Sequence, residues 1–600
     1  MTREGGGRPP FLLRVDMQAC NYDVLLSRVT RPARYTNGEW NAVHKDHAKV
    51  RARFALVYPD TYEVGMSHLG LHILYHVLNS HPDYLAERAF APWPDMEAQL
   101  RAAGTPLATL ESRTPLRAFD VIGITLPYEL TYTNVLNVLD LSGVPIRAAD
   151  RGPDDPLVVG GGPGAANPEP MTDFFDAILI GEGEEAILEI AEVAAAKDRD
   201  GALARLAEIP GVYVPSQYGF HPIGAGPRGA REPLDGAPPR IERRVVADLD
   251  LAPFPTAPVV PFLDTVHARV TLEIMRGCAR GCRFCQAGAF YRPRRCRSID
   301  TLLRQAAESL AATGYDEVSL LAFTSVDYPG IEELVRRLVE NFGGSGVGVA
   351  LPSLRADTFS VELANTIQQV RKTGLTFAPE VGSERLRGVI HKQNTEEDLF
   401  AAADAAFSSG WTRLKLYFMI GVPTETDDDV DTIADLVHRL LAFGRGALGP
   451  RRGRLQLSVS VSALVPKPHT PFQWVAQNEI PELERKHRRL QSSLRDRSVK
   501  LSWSDPKTSA LEAAVSRGDC RVGRAIEAAW RLGCKFDSWS EHFDFDRWER
   551  AFQGEGLDPR DYANQPLDFE DPLPWDHIGC GVGKTALQEE ARRAMGDGGE

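Results

Sequence analysis

The stretch Ala268-Arg-Val-Thr-Leu-Glu-Ile-Met-Arg-Gly-Cys-Ala-Arg-Gly-Cys-Arg-Phe-Cys-Gln-Ala-Gly-Ala-Phe-Tyr-Arg-Pro-Arg-Arg-Cys-Arg297 decides how the rest of the chain is read. Its run Val270 to Ile274 is apolar and β-branched, the pattern of a buried strand. Cys278, Cys282 and Cys285 follow in the spacing C-x-x-x-C-x-x-C, with Gly277 and Gly281 beside them to let the backbone bend around a bulky group. Soft sulfur ligands suit iron–sulfur chemistry, and three thiolates so close together fit three corners of a 4Fe–4S cube. The fourth iron is then left open to a substrate or cofactor, whereas a structural metal site is normally closed by four protein ligands. A zinc site borrowing a distant fourth ligand is the competing reading, and no second cysteine knuckle follows to support it.

With the aromatic Phe284 placed just before the last cysteine, this spacing resembles the signature of the radical S-adenosylmethionine (radical SAM) enzymes. The resemblance implies a 4Fe–4S cluster on Cys278, Cys282 and Cys285, SAM at the open iron with Phe284 beside it, and a one-electron reductant such as flavodoxin or ferredoxin. It also implies splitting of SAM into methionine and a 5′-deoxyadenosyl radical that abstracts hydrogen from a substrate. Nothing in the sequence identifies that substrate.

Composition agrees with a chain that works in solution. Apolar residues make up 43% and charged residues 25% of the 600, as in ordinary globular proteins, and the length suggests several domains. There is no run of about 18 apolar residues, and the start of the chain is rich in Gly, Arg and Pro, so no membrane span is expected and a cytoplasmic location is. Eight cysteines, three of them in one loop, argue for a reducing compartment over a disulfide framework. The net charge of −14 gives no overall pull towards nucleic acid.

Residues 1–49 read as a lead-in. From 50 to 195 strands alternate with helices: strands at Phe54–Tyr58, Val121–Leu126, Leu157–Gly160 and Ala177–Ile180, and helices at Leu69–Leu78, Thr133–Leu141 and Glu184–Val193. Such alternation implies a doubly wound, Rossmann-like parallel sheet that binds ligands at the carboxyl ends of its strands. Two glycine-rich loops fall there, Gly160 to Gly164 (including Gly161) and Gly181 to Glu185. Together these features resemble the cobalamin-binding domain that precedes the barrel in one class of radical SAM enzymes. That domain usually carries Asp-x-His-x-x-Gly. Here Asp60-Thr-Tyr-Glu-Val-Gly65 keeps Asp60 and Gly65 but has Tyr62 in place of the histidine, and His68 nearby reads as a helix-start residue. Cobalamin enters as a candidate cofactor on this resemblance alone.

Residues 196–262 read as a connector, and 263–480 repeat strand then helix six times, a six-stranded partial (β/α) barrel. Chemistry in barrels sits at strand C-termini. The polar residues there are Thr324, Ser325 and Asp327; Ser353 and Arg355; Glu380, Ser383 and Arg385; and Gly421 and Glu425. The segment Ala378 to Leu386 is similar to the E-x-G-S stretch that contacts SAM in relatives, and Tyr417 to Thr426 to the G-x-P-x-E-T stretch that borders the adenine. Phe323 to Asp327 stands where a Gly-Gly-Glu stretch usually holds the SAM amine. Taken singly, Ser383 and Thr426 read equally well as helix caps.

Residues 481–600 read as a helical C-terminal extension. Arg485 to Lys500 holds seven Lys or Arg against one acid, a pattern that a solvated helix face explains better than a phosphate-tracking one. Pro574 to Val582 is too aromatic for a loose tail and is expected to dock against the barrel, near its mouth. Besides the general radical SAM reading, three alternatives stand: a cobalamin-dependent methyltransferase, a methylthiotransferase acting on RNA, and a non-enzymatic iron–sulfur sensor. The second normally needs three more cysteines in its N-terminal domain, and only Cys20 lies ahead of Cys278. The third needs no polar set at the strand ends.

Overall fold

The computed structural model describes residues 22–222, 228–234, 236–351 and 375–596. Its first sheet has six strands in the spatial order Tyr84–Phe90, Ala52–Tyr58, Val121–Thr125, Leu157–Gly161, Ala177–Leu179 and Val212–Tyr213. All pairings are parallel except the last, which is antiparallel. The apolar runs in these strands are covered on both faces, as a parallel sheet requires. Chain direction across the sheet reverses between Ala52–Tyr58 and Val121–Thr125, so the crevice at their carboxyl ends is the topological switch point.

The strand Tyr84–Phe90 is not announced by the sequence, because Glu87 and Arg88 interrupt its apolar pattern. All seven of its residues are buried nonetheless. Arg88 lies between the carboxylates of Glu39 and Glu111, 2.7 Å from the latter, and Glu87 lies 2.8 Å from His47. Buried charge is tolerated where it is paired and hydrogen-bonded.

The barrel comprises two parallel sheets. One holds Val270–Glu273, Glu317–Leu321 and Gly348–Ala350; the other holds Leu375–Glu380, Arg413–Ile420, Gln456–Ala463 and Val499–Trp503. The expectation of six strands is corrected to seven among the described residues. The added strand, Val499–Trp503, is half exposed and carries Lys500 and Ser502, so it lacks the apolar signature of its neighbours. A helix expected at 359–371 falls outside the described residues. One apolar core joins the strands to the surrounding helices, with Leu272, Leu320, Phe377, Leu416 and Val459 at its centre.

The C-terminal helices fold back onto the first sheet. Leu511, Val522, Ile526, Trp548 and Phe552 share a core with Val135, Leu139 and Phe174, and Asp537 accepts the Thr133 hydroxyl at 2.6 Å. The segment Pro574 to Val582 bridges two bodies instead of docking on the barrel alone. The Trp575 indole donates to Gln473 at 2.8 Å, while Ile578–Gly579 pairs in parallel with Ile241–Glu242 of the connector and His577 packs on Tyr213. The basic helix Ile480–Ser493 is neutralised across a helix contact: Arg489 lies 2.6 Å from Asp431 and Arg485 2.6 Å from Asp427. No helix among the described residues is long and apolar enough to cross a membrane.

Candidate active site

The cysteine loop is clamped at its base. Met275–Arg276 continues from the first barrel strand and pairs antiparallel with Arg295–Cys296, closing a loop that contains Cys278, Cys282 and Cys285. Gly277 takes φ 85°, and a β-carbon there would lie 2.3 Å from the Tyr291 carbonyl, so only glycine lets the two ends of the loop meet. Cys285 opens the short helix Gln286–Phe290, and its Sγ accepts the Gly288 N–H at 3.4 Å. Burial pushes the Cys285 thiol up to about 11, with the nearby Cys282, Cys278 and Glu380 adding to the shift. Cys278, Cys282 and Cys285 share one loop, and a backbone N–H is already aimed at one sulfur. This donor set suits an iron–sulfur cluster, whose sulfur ligands commonly accept such bonds.

The strand-end residues sort into groups. Glu380 ends its strand in the left-handed region, φ 71°, beside a register shift, and its carboxylate pairs with Lys392 Nζ at 2.9 Å. Backbone strain of this kind clusters at functional sites. Asp327 accepts the Thr324 hydroxyl and the Arg280 Nε, each at 2.8 Å, which ties the loop after the second strand to the cysteine loop. Ser325 is buried and donates to the Leu320 carbonyl at 3.1 Å. Ser383 caps its helix by accepting from Leu386 N–H and donates to Asp429 at 2.7 Å; Arg385 pairs with the same Asp429. Ser383 and Arg385 thus converge on Asp429 at the start of the helix after the fifth strand. Glu425 is likewise engaged, 2.6 Å from Lys486 and 2.9 Å from the Gly421 N–H, and burial raises its pKa despite the lysine. Phe284 packs with Val381, Met419, Val422 and Leu464, at the ends of the fourth to sixth strands. Ser353 and Arg355 lie outside the described residues.

A cavity of about 650 Å³ lies between the two sheets. Its floor is the switch-point end of the first sheet, with Gly160, Gly161 and Gly162, and its roof is barrel: Met275, Arg276, Tyr291, Leu321 and Phe323. Volume and lining fall within the range of small-molecule and cofactor sites. Asp60 and Gly65 do not line it. Asp60 is buried against the C-terminal extension, accepting the Trp539 indole N–H at 3.0 Å, and Gly65 packs against Phe90 and Tyr58. Tyr62 turns away as well, donating its hydroxyl to Glu39.

The loop Gly181 to Glu185 borders the cavity through Gly181 to Glu184 and also joins the two bodies. Glu182 lies 2.6 Å from Arg295, and Glu184 lies 2.6 Å from Arg276, which is itself held by Glu273 at 2.8 Å. Sequence reasoning missed Arg276, Glu184, Tyr291 and Lys392. The Glu184–Arg276 pair joins residues about ninety positions apart, and no local pattern marks it.

Residues 272–437 match the radical SAM superfamily, and residues 70–215 match the N-terminal region of radical SAM proteins. The chain belongs to the radical SAM superfamily. This radical SAM protein is 28% identical over 482 residues to an uncharacterized protein of Methanocaldococcus jannaschii, covering 80% of this chain and 91% of that one. It is 25% identical over 181 residues to the ribosomal protein uS12 methylthiotransferase RimO of Thermotoga maritima, covering 28% of this chain and 41% of that protein. Among solved structures it aligns with the radical SAM methyltransferase TsrM of Kitasatospora setae, with cobalamin and a [4Fe-4S] cluster bound, at TM-score 0.48 and 16% identity over 70% of this chain and 77% of that one. It is a radical SAM enzyme, with its substrate unassigned.

Proposed function

We propose that this radical SAM enzyme carries its cluster on Cys278, Cys282 and Cys285, binds SAM at the strand ends around Glu380, and holds a corrinoid in the cavity between the first sheet and the barrel. When bound, the cluster and SAM supply a reductively generated 5′-deoxyadenosyl radical, with the electron coming from a carrier such as flavodoxin or ferredoxin.

The observation that carries the corrinoid reading is a shared wall. Met275, Arg276 and Tyr291 flank the cysteine loop and line the same cavity as Gly160 to Gly162. The glycines let a broad, flat group approach the backbone, while Leu56, Val159, Leu179 and Leu321 exclude water from its faces. Arg276 is fixed by three carboxylates, Glu182, Glu184 and Glu273, and presents a positioned cation next to the cysteine loop. A corrinoid here would give a methyl-transfer or cobalamin-assisted reaction. The methylthiotransferase reading lacks its second cysteine set, since only Cys20 precedes Cys278.

The test is anaerobic purification from cells supplied with hydroxocobalamin, followed by cobalt and iron analysis and release of 5′-deoxyadenosine. About one cobalt per chain is expected beside the cluster, on one corrinoid per site. SAM cleavage by an iron-loaded protein that holds no cobalt would leave radical chemistry in the barrel alone and remove the corrinoid.

A further inference from the structure

His68 lies on the wall of the cavity, at the start of helix Leu69–Ser80. It caps that helix: Nδ1 accepts the Leu71 N–H at 3.2 Å, and the ring rests against Tyr58 with centroids 5.1 Å apart. A ring nitrogen that accepts carries no proton. A neutral imidazole held in this way therefore has its proton on Nε2. Burial keeps the ring neutral, moving its pKa down to about 4, with His72 adding to the effect. Nε2 has no hydrogen-bond partner among the described residues, although the side chain borders the cavity. With Tyr62 turned towards Glu39, His68 and His267 are the imidazoles that line the cavity, and His68 is the one at the start of the helix beside the first sheet.

A metal would require the opposite tautomer. To ligate through Nε2 the proton would have to move to Nδ1, where it would face the Leu71 N–H and break the helix cap. Building on the corrinoid reading above, we propose that His68 donates its Nε2–H to an acceptor oxygen of the bound corrinoid and does not ligate the cobalt. The residue thus orients the cofactor through its periphery and gives the metal no nitrogen of its own.

The full chain, loaded with hydroxocobalamin, reduced to Co(II) and labelled with ¹⁵N-histidine, tests this by electron paramagnetic resonance together with equilibrium measurement of corrinoid binding. His68→Ser is the informative variant, because serine keeps a helix cap and removes the donor. The expected result is a Co(II) signal that ¹⁵N-histidine leaves unchanged in the native chain, and corrinoid binding weakened about 5- to 10-fold in His68→Ser, the size of one lost hydrogen bond. An axial splitting that changes with the label and vanishes in His68→Ser would make His68 a cobalt ligand and overturn the proposal. So would unchanged affinity in that variant. Failure of the native chain to retain any corrinoid, with its cluster intact, is a separate result that removes the functional reading on which the proposal rests.

Discussion

Arg276 of the barrel and Glu184 of the first sheet's glycine-rich loop lie 2.6 Å apart, side chains 10% and 5% exposed, and form a buried charged contact between the two bodies that enclose the cavity. Arg276 stands two residues before Cys278, so the same guanidinium fixes the cavity wall and one base of the cysteine loop. Removing it leaves Glu184 without its cation, while Glu182 keeps Arg295 and Glu273 keeps Arg297. Breaking a buried pair on one side costs about 3–5 kcal/mol. Arg276→Ala is therefore expected to lower the unfolding midpoint and to raise hydrogen exchange in Gly181 to Glu185. Native exchange in that loop would show that the joint is held by other contacts.

The cysteine loop predicts a dependence on each thiolate. Cys278→Ala, Cys282→Ala and Cys285→Ala should each reduce iron after anaerobic reconstitution, and the triple variant should bring it to background while the far-ultraviolet spectrum stays native. Gly277→Ala should act in the same direction without touching a ligand, because its methyl group would collide with the Tyr291 carbonyl. Full iron in the triple variant would place the cluster elsewhere.

Where sequence could be read and where it could not follows from how local each signal is. Leu69–Leu78 is a helix by its own apolar spacing, and the helix found, Leu69–Ser80, starts at the same residue. Thr426, which reads equally well as a helix cap, caps its helix and forms a capping box with Asp429. Tyr84–Phe90 is hidden because Glu87 and Arg88 become acceptable in a core only through Glu39, His47 and Glu111, which no window around the strand contains. The loop Gly181 to Glu185 reads as a ligand loop from its glycines and does border the cavity, but its ion pairs to Arg276 and Arg295, about a hundred residues on, have no local signal. Asp60 and Gly65 keep two letters of a cofactor motif, but the C-terminal extension supplies Trp539 to one and core packing absorbs the other.

The strand-end residues separate by substitution. Glu380 is strained, paired with Lys392 and close enough to Cys285 to raise its thiol pKa, whereas Ser383 is engaged as a helix cap. Glu380→Gln is expected to weaken SAM binding about tenfold in anaerobic calorimetry, as loss of a charge-assisted contact would. Ser383→Ala should cost about 1 kcal/mol of stability and leave SAM affinity within about twofold. Equal effects of the two changes on affinity would mean that Glu380 acts only through the fold.

Asp537 gives the pH dependence of the contact between the C-terminal helices and the first sheet. It is buried, accepts from Thr133 at 2.6 Å and from the Trp548 indole at 2.9 Å, and burial raises its pKa to about 6 against those two bonds. Its folded value thus lies above the model-peptide value of 3.8. Between these two values the folded chain holds a proton that the unfolded chain has released, so this residue's contribution to stability falls as pH rises from about 4 to about 6 and stays low above that. Two units correspond to about 3 kcal/mol as an upper bound. Asp537→Asn cannot ionise and escapes the loss. Measured against the native chain, the variant should melt at a higher temperature at pH 7.5 than at pH 4.5, and the difference should develop between pH 4 and pH 6. A gap between the two proteins that does not change with pH would show that Asp537 stays ionised in the folded chain and that its two hydrogen bonds offset burial.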